Sequence, residues 1–333
     1  MKDEQQGLPL GKLPAHLLER LLKSIPAHGP DVITGPGIGQ DAAVVNFGGL
    51  RLIFKTDPIT FLSEDIFWYL ITVNSNDIAC MGGIPKYLLV TILLPENIKT
   101  SEVERLFEEL KTACTSMNIT LLGGHTEVTY GIDRPLAVGF MVGTLEREPL
   151  GASKAKPGDA ILLSKAIPIE AISIIARQMQ EKLGIDEETL SVAKNLIYDP
   201  GISISKEAGI AAELGATALH DPTEGGIATG LMELALASGC GIEVDMNSIP
   251  ILDIARDMLD RLGIDPLGAI SSGSLLACCP FEKAEAIIDA WHAEGIKGAI
   301  IGRATESGLV LIRNGRREPL PEFSRDELAR FLS

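Results

Sequence analysis

Short apolar runs alternate with turn residues through the first half of the chain. The runs AAVVNF (residues 42–47) and RLIFKTD (51–57) are rich in apolar residues and flank the sequence GGL. Two such runs around a short glycine turn are typical of a β-hairpin. The run YLLVTILL (87–94) is continuously apolar up to Pro95, which predicts a buried strand.

Helical spacing of apolar residues replaces this pattern in two longer segments. SEDIFWYLITVNSNDIACMGG (63–83) predicts a helix that stops at the double glycine. SEVERLFEELKTACTSM (101–117) opens with Ser101 and, three residues later, Glu104, which predicts a helix that begins with a capping box. The runs ITLLGG and PLAVGFMVGTL that follow predict two further strands.

The segment EREPLGASKAKPGD (146–159) is rich in glycine, proline and lysine and marks a domain boundary. We therefore predict two domains, residues 1–148 and 149–333. Neighbouring strands are too close for regular helical crossovers, so each domain is predicted to be α/β with a mixed sheet. The final SRDELARFLS predicts a short amphipathic helix. Strands in the second domain are predicted at AILLSK, GIEVD, SLLACCP, GAIIGRAT and GLVLIRN.

Composition narrows the class of protein. The chain has 333 residues, of which 46% are hydrophobic, so it can bury a substantial core. Its formal net charge of -16 argues against nucleic acid as a partner, because phosphate contacts need a basic surface. The five cysteines have no metal-site spacing, and no apolar run is long enough to span a bilayer. We expect a cytoplasmic protein that contacts neither nucleic acid nor membrane.

The first candidate functional residues are acidic residues beside predicted turns. Asp41 follows GPGIGQ, whose Gly37 and Gly39 fit the loose dinucleotide pattern G-x-G-x-x-A; that reading is rejected because a strand, not a helix, is predicted next. Asp57 ends the strand of KTDPITF, where a carboxylate either faces a ligand or merely terminates the strand. Asp41 is likewise either a ligand group or a solvated turn residue.

The apolar helix of residues 63–83 contains Asn74 and Asp77, three residues apart and so on one face. Burying this pair is unfavourable without partners. It indicates either a metal or phosphate site, or a pair that caps neighbouring backbone. In LLGGHTEV, a double glycine precedes His125, Thr126 and Glu127, and these are either ligand-binding or ordinary loop residues.

The stretch HDPTEGGIATG (220–230) places His220 and Asp221 before a glycine pair and an apolar helix. The first N–H groups of a helix favour an anion, and a divalent cation would reconcile a phosphate there with Asp221. The alternative is that Asp221 or Thr223 simply caps the helix. No P-loop, zinc-protease, serine-hydrolase or kinase signature is present. Scattered carboxylates with glycine turns therefore suggest a Mg²⁺–nucleotide site outside the P-loop class.

The motifs GQDAAVV, KTD, SNDIACMGG, LLGGHTE and HDPTEGG, in this order, resemble those of the PurM-like (AIR synthase-related) superfamily, over about residues 30–312. The resemblance implies an N-terminal domain that binds ATP and forms a β-barrel with its copy in a homodimer, and a C-terminal α/β domain. It implies ATP and Mg²⁺ as cofactors. The matching residues are predicted to be metal ligands (Asp41, Asp57, Asp77 and Glu127), cofactor-binding residues (Gly37, Gly39, Thr56, Asn74, Gly123, Gly124, Thr126, Gly225 and Gly226) and catalytic residues (His220 and Asp221).

Within the superfamily, HDPTEGG and DPLGAISSGSLLA are most similar to the hydrogenase maturation factor HypE, which acts on its own C-terminal cysteine. The sequence ends ELARFLS, and its last cysteine is Cys279. Gln40 and His125 also stand where the family often has acids, so one metal ligand is lost or moves to Glu127. The main hypothesis is an ATP-dependent, ADP-forming enzyme that phosphorylates or activates an oxygen of an unidentified small-molecule or protein-bound acceptor. The alternatives are a non-catalytic ATP-binding assembly or regulatory protein and a thiamine-monophosphate kinase.

Overall fold

A computed structural model describes residues 13, 15–25, 29–60 and 64–330. It contains two compact units. Among the described residues, the N-terminal unit comprises 29–35, 41–60 and 64–149, and the C-terminal unit comprises 150–330 together with 13, 15–25 and 36–40. Within the described residues, no helix is both long enough and apolar enough to cross a membrane.

The strands and helices follow one another in α/β fashion, and the α/β prediction is confirmed. The strands β1 to β13 are, in chain order, Val32–Thr34, Ala43–Phe47, Leu50–Ile59, Ile84–Leu94, Thr120–Val128, Leu136–Leu145, Ala160–Ser164, Ala218–His220, Gly241–Asp245, Leu276–Cys279, Gly298–Thr305, Leu309–Arg313 and Arg316–Pro319. The helices α1 to α10 are Ala15–Leu22, Ile66–Cys80, Thr100–Ser116, Ile169–Gln178, Gln180–Leu183, Glu187–Asn195, Ser205–Leu214, Gly226–Ser238, Asp253–Leu262 and Ala284–Ala293.

The N-terminal unit is built on a six-stranded sheet in the order β1-β2-β3-β6-β4-β5. The predicted hairpin is present, because β2 and β3 pair antiparallel around Gly48 and Gly49. β4 and β5 pair in parallel, which makes the sheet mixed. The connection between those two strands contains α3, as a parallel pair requires a long crossover.

Helix α2 packs on one face of this sheet and is buried almost all round, as its apolar sequence predicts. Its apolar side chains contact inward-facing residues of β3, β4 and β6. The buried core of the unit includes Ile53, Leu70, Ile78, Leu88, Val90, Ile92, Leu106, Leu110 and Met141. Because α2 packs directly on the sheet, buried polar residues on the side of the helix that faces the sheet need hydrogen-bond or ion-pair partners on the strands.

The opposite face of the same sheet carries apolar side chains that are exposed in the single chain. Side chains alternate between faces along a strand, so Leu89 and Phe140 point away from α2 while their neighbours are buried. Tyr87, Leu89, Val138 and Phe140 are each between 36% and 41% exposed. An apolar patch of this kind is typical of an interaction surface.

The C-terminal unit is built on a seven-stranded sheet in the order β13-β12-β9-β11-β7-β10-β8. The central strands β7 and β10 are buried along their whole length, as their continuous apolar runs predict. Helix α8 packs on this sheet through Ile227, Leu231 and Leu234. This packing fixes the helix that directly follows the HDPTEGG motif.

Two local predictions are corrected, and three short strands were not predicted. The capping box at Ser101 and Glu104 is wrong: α3 begins at Thr100, and the Glu102 carboxylate accepts a hydrogen bond from the Lys99 N–H at 3.1 Å. The predicted C-terminal helix appears, within the described residues, only as a 3₁₀ turn at Leu328–Arg330; residues 331–333 lie outside them. Three short strands, β1, β8 and β13, were not predicted, because three or four residues are too few to show a periodic pattern.

Candidate functional site

Two acidic residues of the N-terminal unit contact Lys55, a residue that the sequence motifs did not predict. Lys55 and Asp57 are two residues apart on β3 and therefore point to the same face. The Lys55 Nζ lies 3.2 Å from Asp57 Oδ2 and 3.1 Å from Asp77 Oδ2. Asp77 comes from the last turn of α2, so the ammonium joins a strand to a helix.

Burial and charge have opposite effects on this lysine. Burial lowers the pKa of Lys55, but the carboxylates of Asp77, Asp57 and Asp41 outweigh it and hold the pKa well above its usual value. The Lys55 side chain is 19% exposed and that of Asp77 only 8%. Asp41 is buried as well. The structure thus brings two of the four predicted metal ligands, Asp57 and Asp77, into contact with one ammonium group, and the charge of a third, Asp41, also acts on it.

The cofactor-binding residues predicted beside this cluster have partners within the unit. The Asn74 Oδ1 accepts a hydrogen bond from the Asp57 N–H at 3.0 Å, and its Nδ2 donates to the Leu70 carbonyl at 2.8 Å. The Thr56 hydroxyl donates to the Gly139 carbonyl at 2.7 Å. Asn74 therefore anchors α2 to β3 and helps to position Asp57, while contact of Asn74 or Thr56 with a cofactor stays a prediction.

The fourth predicted ligand lies on the edge strand β5. Glu127 Oε2 is 3.1 Å from His125 Nε2, and both side chains are about half exposed. Thr126 lies opposite Ile92 in the parallel pairing with β4, and Gly123 opposite Leu89. Gly124 has a φ of 153°, and a Cβ there would collide with the Val90 carbonyl, so the close approach of the two strands requires glycine. Metal binding by Glu127 stays a prediction.

His220 and Asp221 lie at the end of β8 in the C-terminal unit, and both are buried. The His220 Nε2 lies 3.1 Å from Glu233 Oε2 of α8, a contact that orients the imidazole ring. Gly37 and Gly39 belong to the same unit, and the Gly39 backbone runs close to the Glu233 carbonyl. Catalysis by His220 and Asp221 stays a prediction, as does cofactor binding by the two glycines.

The first turn of α8 is held by the protein's own groups. The Gly225 N–H donates to Asp326 Oδ2 at 2.7 Å, and the Ala228 N–H donates to the Leu267 carbonyl at 3.0 Å. Gly226 has a φ of 65°, and a Cβ there would lie 2.5 Å from the Leu267 carbonyl, so this turn requires glycine. The carboxylate of Asp326 thus lies at the helix N-terminus where an anion was predicted, and cofactor binding by Gly225 and Gly226 stays a prediction.

Sequence reasoning missed a buried glutamate in the C-terminal unit. Glu170, in the first turn of α4, is 5% exposed, and its Oε2 has no hydrogen-bond partner. Burial raises the pKa of Glu170 to about 7; the charges of Glu224, Asp326 and Asp221 add to this, and a hydrogen bond from Ser272 opposes it. Burial likewise raises the pKa of Asp326 to about 6, against the hydrogen bonds from Gly225 and Leu328.

One sequence signal could have found two of the missed residues. Lys55 directly follows the apolar residues LIF, and Glu170 interrupts the largely apolar run IPIEAISIIA; charged residues in such settings rarely become buried without a specific role. Asp326 carries no comparable signal, because its partner Gly225 is 101 positions away along the chain.

The protein therefore consists of two α/β units. The N-terminal unit carries an acidic site, to which β3 contributes Asp57 and α2 contributes Asp77. Residues 39–145 match the N-terminal domain, and residues 156–313 the C-terminal domain, of the AIR synthase related proteins. The chain belongs to the AIR synthase-related (PurM-like) family.

Relatives and solved structures agree with that assignment. The carbamoyl dehydratase HypE of Azotobacter vinelandii is 30% identical over 269 residues, which cover 76% of this chain and 74% of that protein. A crystal structure of HypE in complex with ATP has a TM-score of 0.71 at 22% identity and covers 94% of this chain and 91% of its own. A ThiL structure complexed with AMPPCP and TMP has a TM-score of 0.72 at 23% identity, with coverages of 93% and 94%.

Proposed function

We propose that the protein is a Mg²⁺- and ATP-dependent enzyme that transfers a phosphoryl group to an oxygen of an acceptor, either as the product or to activate that oxygen for loss. Membership of a family that includes the carbamoyl dehydratase HypE supports ATP-driven chemistry. The likeness to HypE solved with ATP and to ThiL solved with AMPPCP and TMP supports a nucleotide site. The observation that carries the proposal is the contact of Asp57 and Asp77 with one cation, Lys55, on whose pKa the charge of Asp41 also acts.

The donor set fits Mg²⁺, because carboxylate oxygens are the hard ligands that this ion prefers. Asp57 and Asp77 would hold it, with Asp41 as the third acid. Bound Mg²⁺ supplies positive charge that shields the phosphates during transfer. Asn74 keeps the backbone of Asp57 in place, so the strand end is rigid before any ligand arrives. In the C-terminal unit, Glu233 Oε2 lies 3.1 Å from His220 Nε2, and His220 and Asp221 keep the catalytic role that the family resemblance implies.

The test is the Asp77→Asn variant in calorimetric titrations with ATP, with and without Mg²⁺. We expect Mg²⁺-dependent ATP binding to weaken at least tenfold, because the variant removes one buried carboxylate ligand. Asp133→Asn is the matched control, since the Asp133 side chain belongs to the same unit and is 84% exposed. Equal Mg²⁺-dependent affinity in wild type and Asp77→Asn would remove Asp77 from the site, and absence of ATP binding to the wild type would reject the function.

Two further functions remain as candidates. The likeness to ThiL solved with AMPPCP and TMP favours a thiamine-monophosphate kinase, which formation of the diphosphate from ATP and thiamine monophosphate would establish. The exposed His125–Glu127 pair, where the family often has an acid, favours a nucleotide-binding protein without turnover. Multiple-turnover release of ADP with any acceptor rules out the second of these.

We also propose that the exposed face of the N-terminal sheet pairs with its copy in a homodimer. Leu89 and Phe140 lie at the middle of that face on the paired strands β4 and β6. Both side chains are 39% exposed, and covering such a patch with an identical one removes apolar surface from water on both sides.

Phe140→Asp is expected to turn the dimer into a monomer, because two carboxylates would be buried against apolar surface at the interface. Sedimentation velocity at micromolar concentration measures the change. Phe281→Asp is the control, since Phe281 is 67% exposed and belongs to the other unit. A monomeric wild type would reject the homodimer, and a Phe140→Asp variant that stays dimeric would place the interface elsewhere.

A further inference from the structure

Lys55 occupies the space that two of the proposed metal ligands share. Its Nζ is 3.2 Å from Asp57 Oδ2 and 3.1 Å from Asp77 Oδ2. A Mg²⁺ ion bound by the same two oxygens would stand about 2.1 Å from each of them. An ammonium group and a divalent ion therefore cannot lie between these oxygens at the same time.

The net charge of the cluster also indicates that Lys55 competes with a metal ion. Asp41, Asp57 and Asp77 contribute three negative charges and Lys55 one positive charge, so the cluster keeps a formal charge of -2. A cluster with this charge still attracts a divalent cation, but less strongly than the same three acids without the lysine. Because Asp77 is 8% exposed and Lys55 19% exposed, the interaction is only weakly screened by solvent.

The lysine is also fixed in place. It projects from β3 onto α2, which the Asn74 amide holds against the same strand. The Lys55 side chain is 19% exposed, and its two ion pairs with Asp57 and Asp77 hold the ammonium group between them. Lys55 is thus part of the framework of the cluster and not a mobile surface residue.

We propose that Lys55 is a built-in cation that holds the place of a divalent metal ion between Asp57 and Asp77 and so sets how weakly the free protein binds metal. The proposal rests on the proposed function only in taking Mg²⁺ with ATP as the ligand in the cell. We propose specifically that the Lys55 ammonium group and one metal ion compete for two carboxylates. This competition can be measured without nucleotide.

The test compares Mn²⁺ binding to full-length wild type, Lys55→Met and Lys55→Arg, in the absence of nucleotide, by the electron paramagnetic resonance signal of free Mn²⁺. We expect Lys55→Met to bind one Mn²⁺ at least tenfold more tightly than the wild type. Lys55→Arg keeps a positive charge and is expected to remain within about threefold of the wild type. Lys111→Met, which removes a 70% exposed lysine of the same unit, controls for net charge.

Equal Mn²⁺ binding in wild type and Lys55→Met overturns the proposal, and so does the absence of binding in both. If Lys55→Met folds poorly, thermal unfolding at increasing Mn²⁺ concentrations is measured for this variant and the wild type. Stabilisation of that variant by Mn²⁺, larger than that of the wild type, supports the proposal, while a variant that stays unfolded at every Mn²⁺ concentration overturns it. Tight Mn²⁺ binding by Lys55→Met together with no ATP binding by the wild type would reject the proposed function and leave the role of Lys55 intact.

Discussion

Replacing Glu170 by glutamine is expected to raise the free energy of unfolding by about 3 kcal/mol at pH 8. Burial beside Glu224, Asp326 and Asp221 raises the pKa of Glu170 to about 7 from an ordinary value of 4.5. Because this pKa is higher in the folded state, the carboxyl contributes no penalty below about pH 4.5. Its charge then destabilises the fold increasingly as the pH rises to about 7, and fully above it.

Urea unfolding of wild type and Glu170→Gln at pH 4.5, 6 and 8 measures this effect. The difference between the two proteins should be small at pH 4.5 and largest at pH 8. Glu294→Gln serves as the control, because Glu294 is about half exposed and paired with Lys206. A variant that is less stable than the wild type at pH 8, or a difference that does not change with pH, would contradict the account of Glu170.

Lys165→Met is expected to lower the free energy of unfolding by about 3–5 kcal/mol. The Lys165 Nζ lies 2.7 Å from Glu207 Oε1 and donates to the carbonyls of Gly201 and Ser203 at 3.1 and 2.6 Å. The two side chains are 7% and 2% exposed. Removing the lysine leaves a buried carboxylate and two carbonyls without their donor, which is why the expected loss is large.

The neighbouring residue provides the control. Lys206 pairs with Glu294, but these side chains are 58% and 51% exposed, so Lys206→Met should change stability by less than about 1 kcal/mol. The double variant Lys165→Met/Glu207→Met should recover part of the loss, because no charge is then left buried. Similar losses in Lys165→Met and Lys206→Met would show that the buried pair is not the source of stability.

Glu170 and Glu207 show why the two predictions have opposite signs. Both are buried glutamates of the C-terminal unit, but Glu207 has a lysine beside it whereas the charges that act on Glu170 are those of other acids. An arrangement that lowers stability is typical of a functional site, since natural proteins retain such groups where activity needs them. We therefore expect Glu170 to matter for activity and Glu207 for folding.

Much of the fold could be predicted because its signals are local. The strand that ends at Leu94 and the helix that stops before Gly82 follow directly from apolar periodicity and glycine. The sequence placed Asp77 near the end of a helix, as observed, but it also placed Asp57 at the end of a strand, whereas β3 continues through Pro58 to Ile59. It could not show that both meet Lys55, because periodicity gives the face of an element and not its partner. The same limit hid Asp326, which reaches Gly225 only through the tertiary fold.

The ion pairs of Lys55 have a consequence for how the chain matures. Without Lys55, the carboxylates of Asp57 and Asp77 would repel each other until a metal ion was bound. The packing of β3 against α2 would then depend on the metal-ion concentration in the cell. Because the chain carries its own counter-ion beside Asp57 and Asp77, the packing of β3 against α2 requires no metal ion. Folding of this unit is therefore expected to be independent of the magnesium concentration.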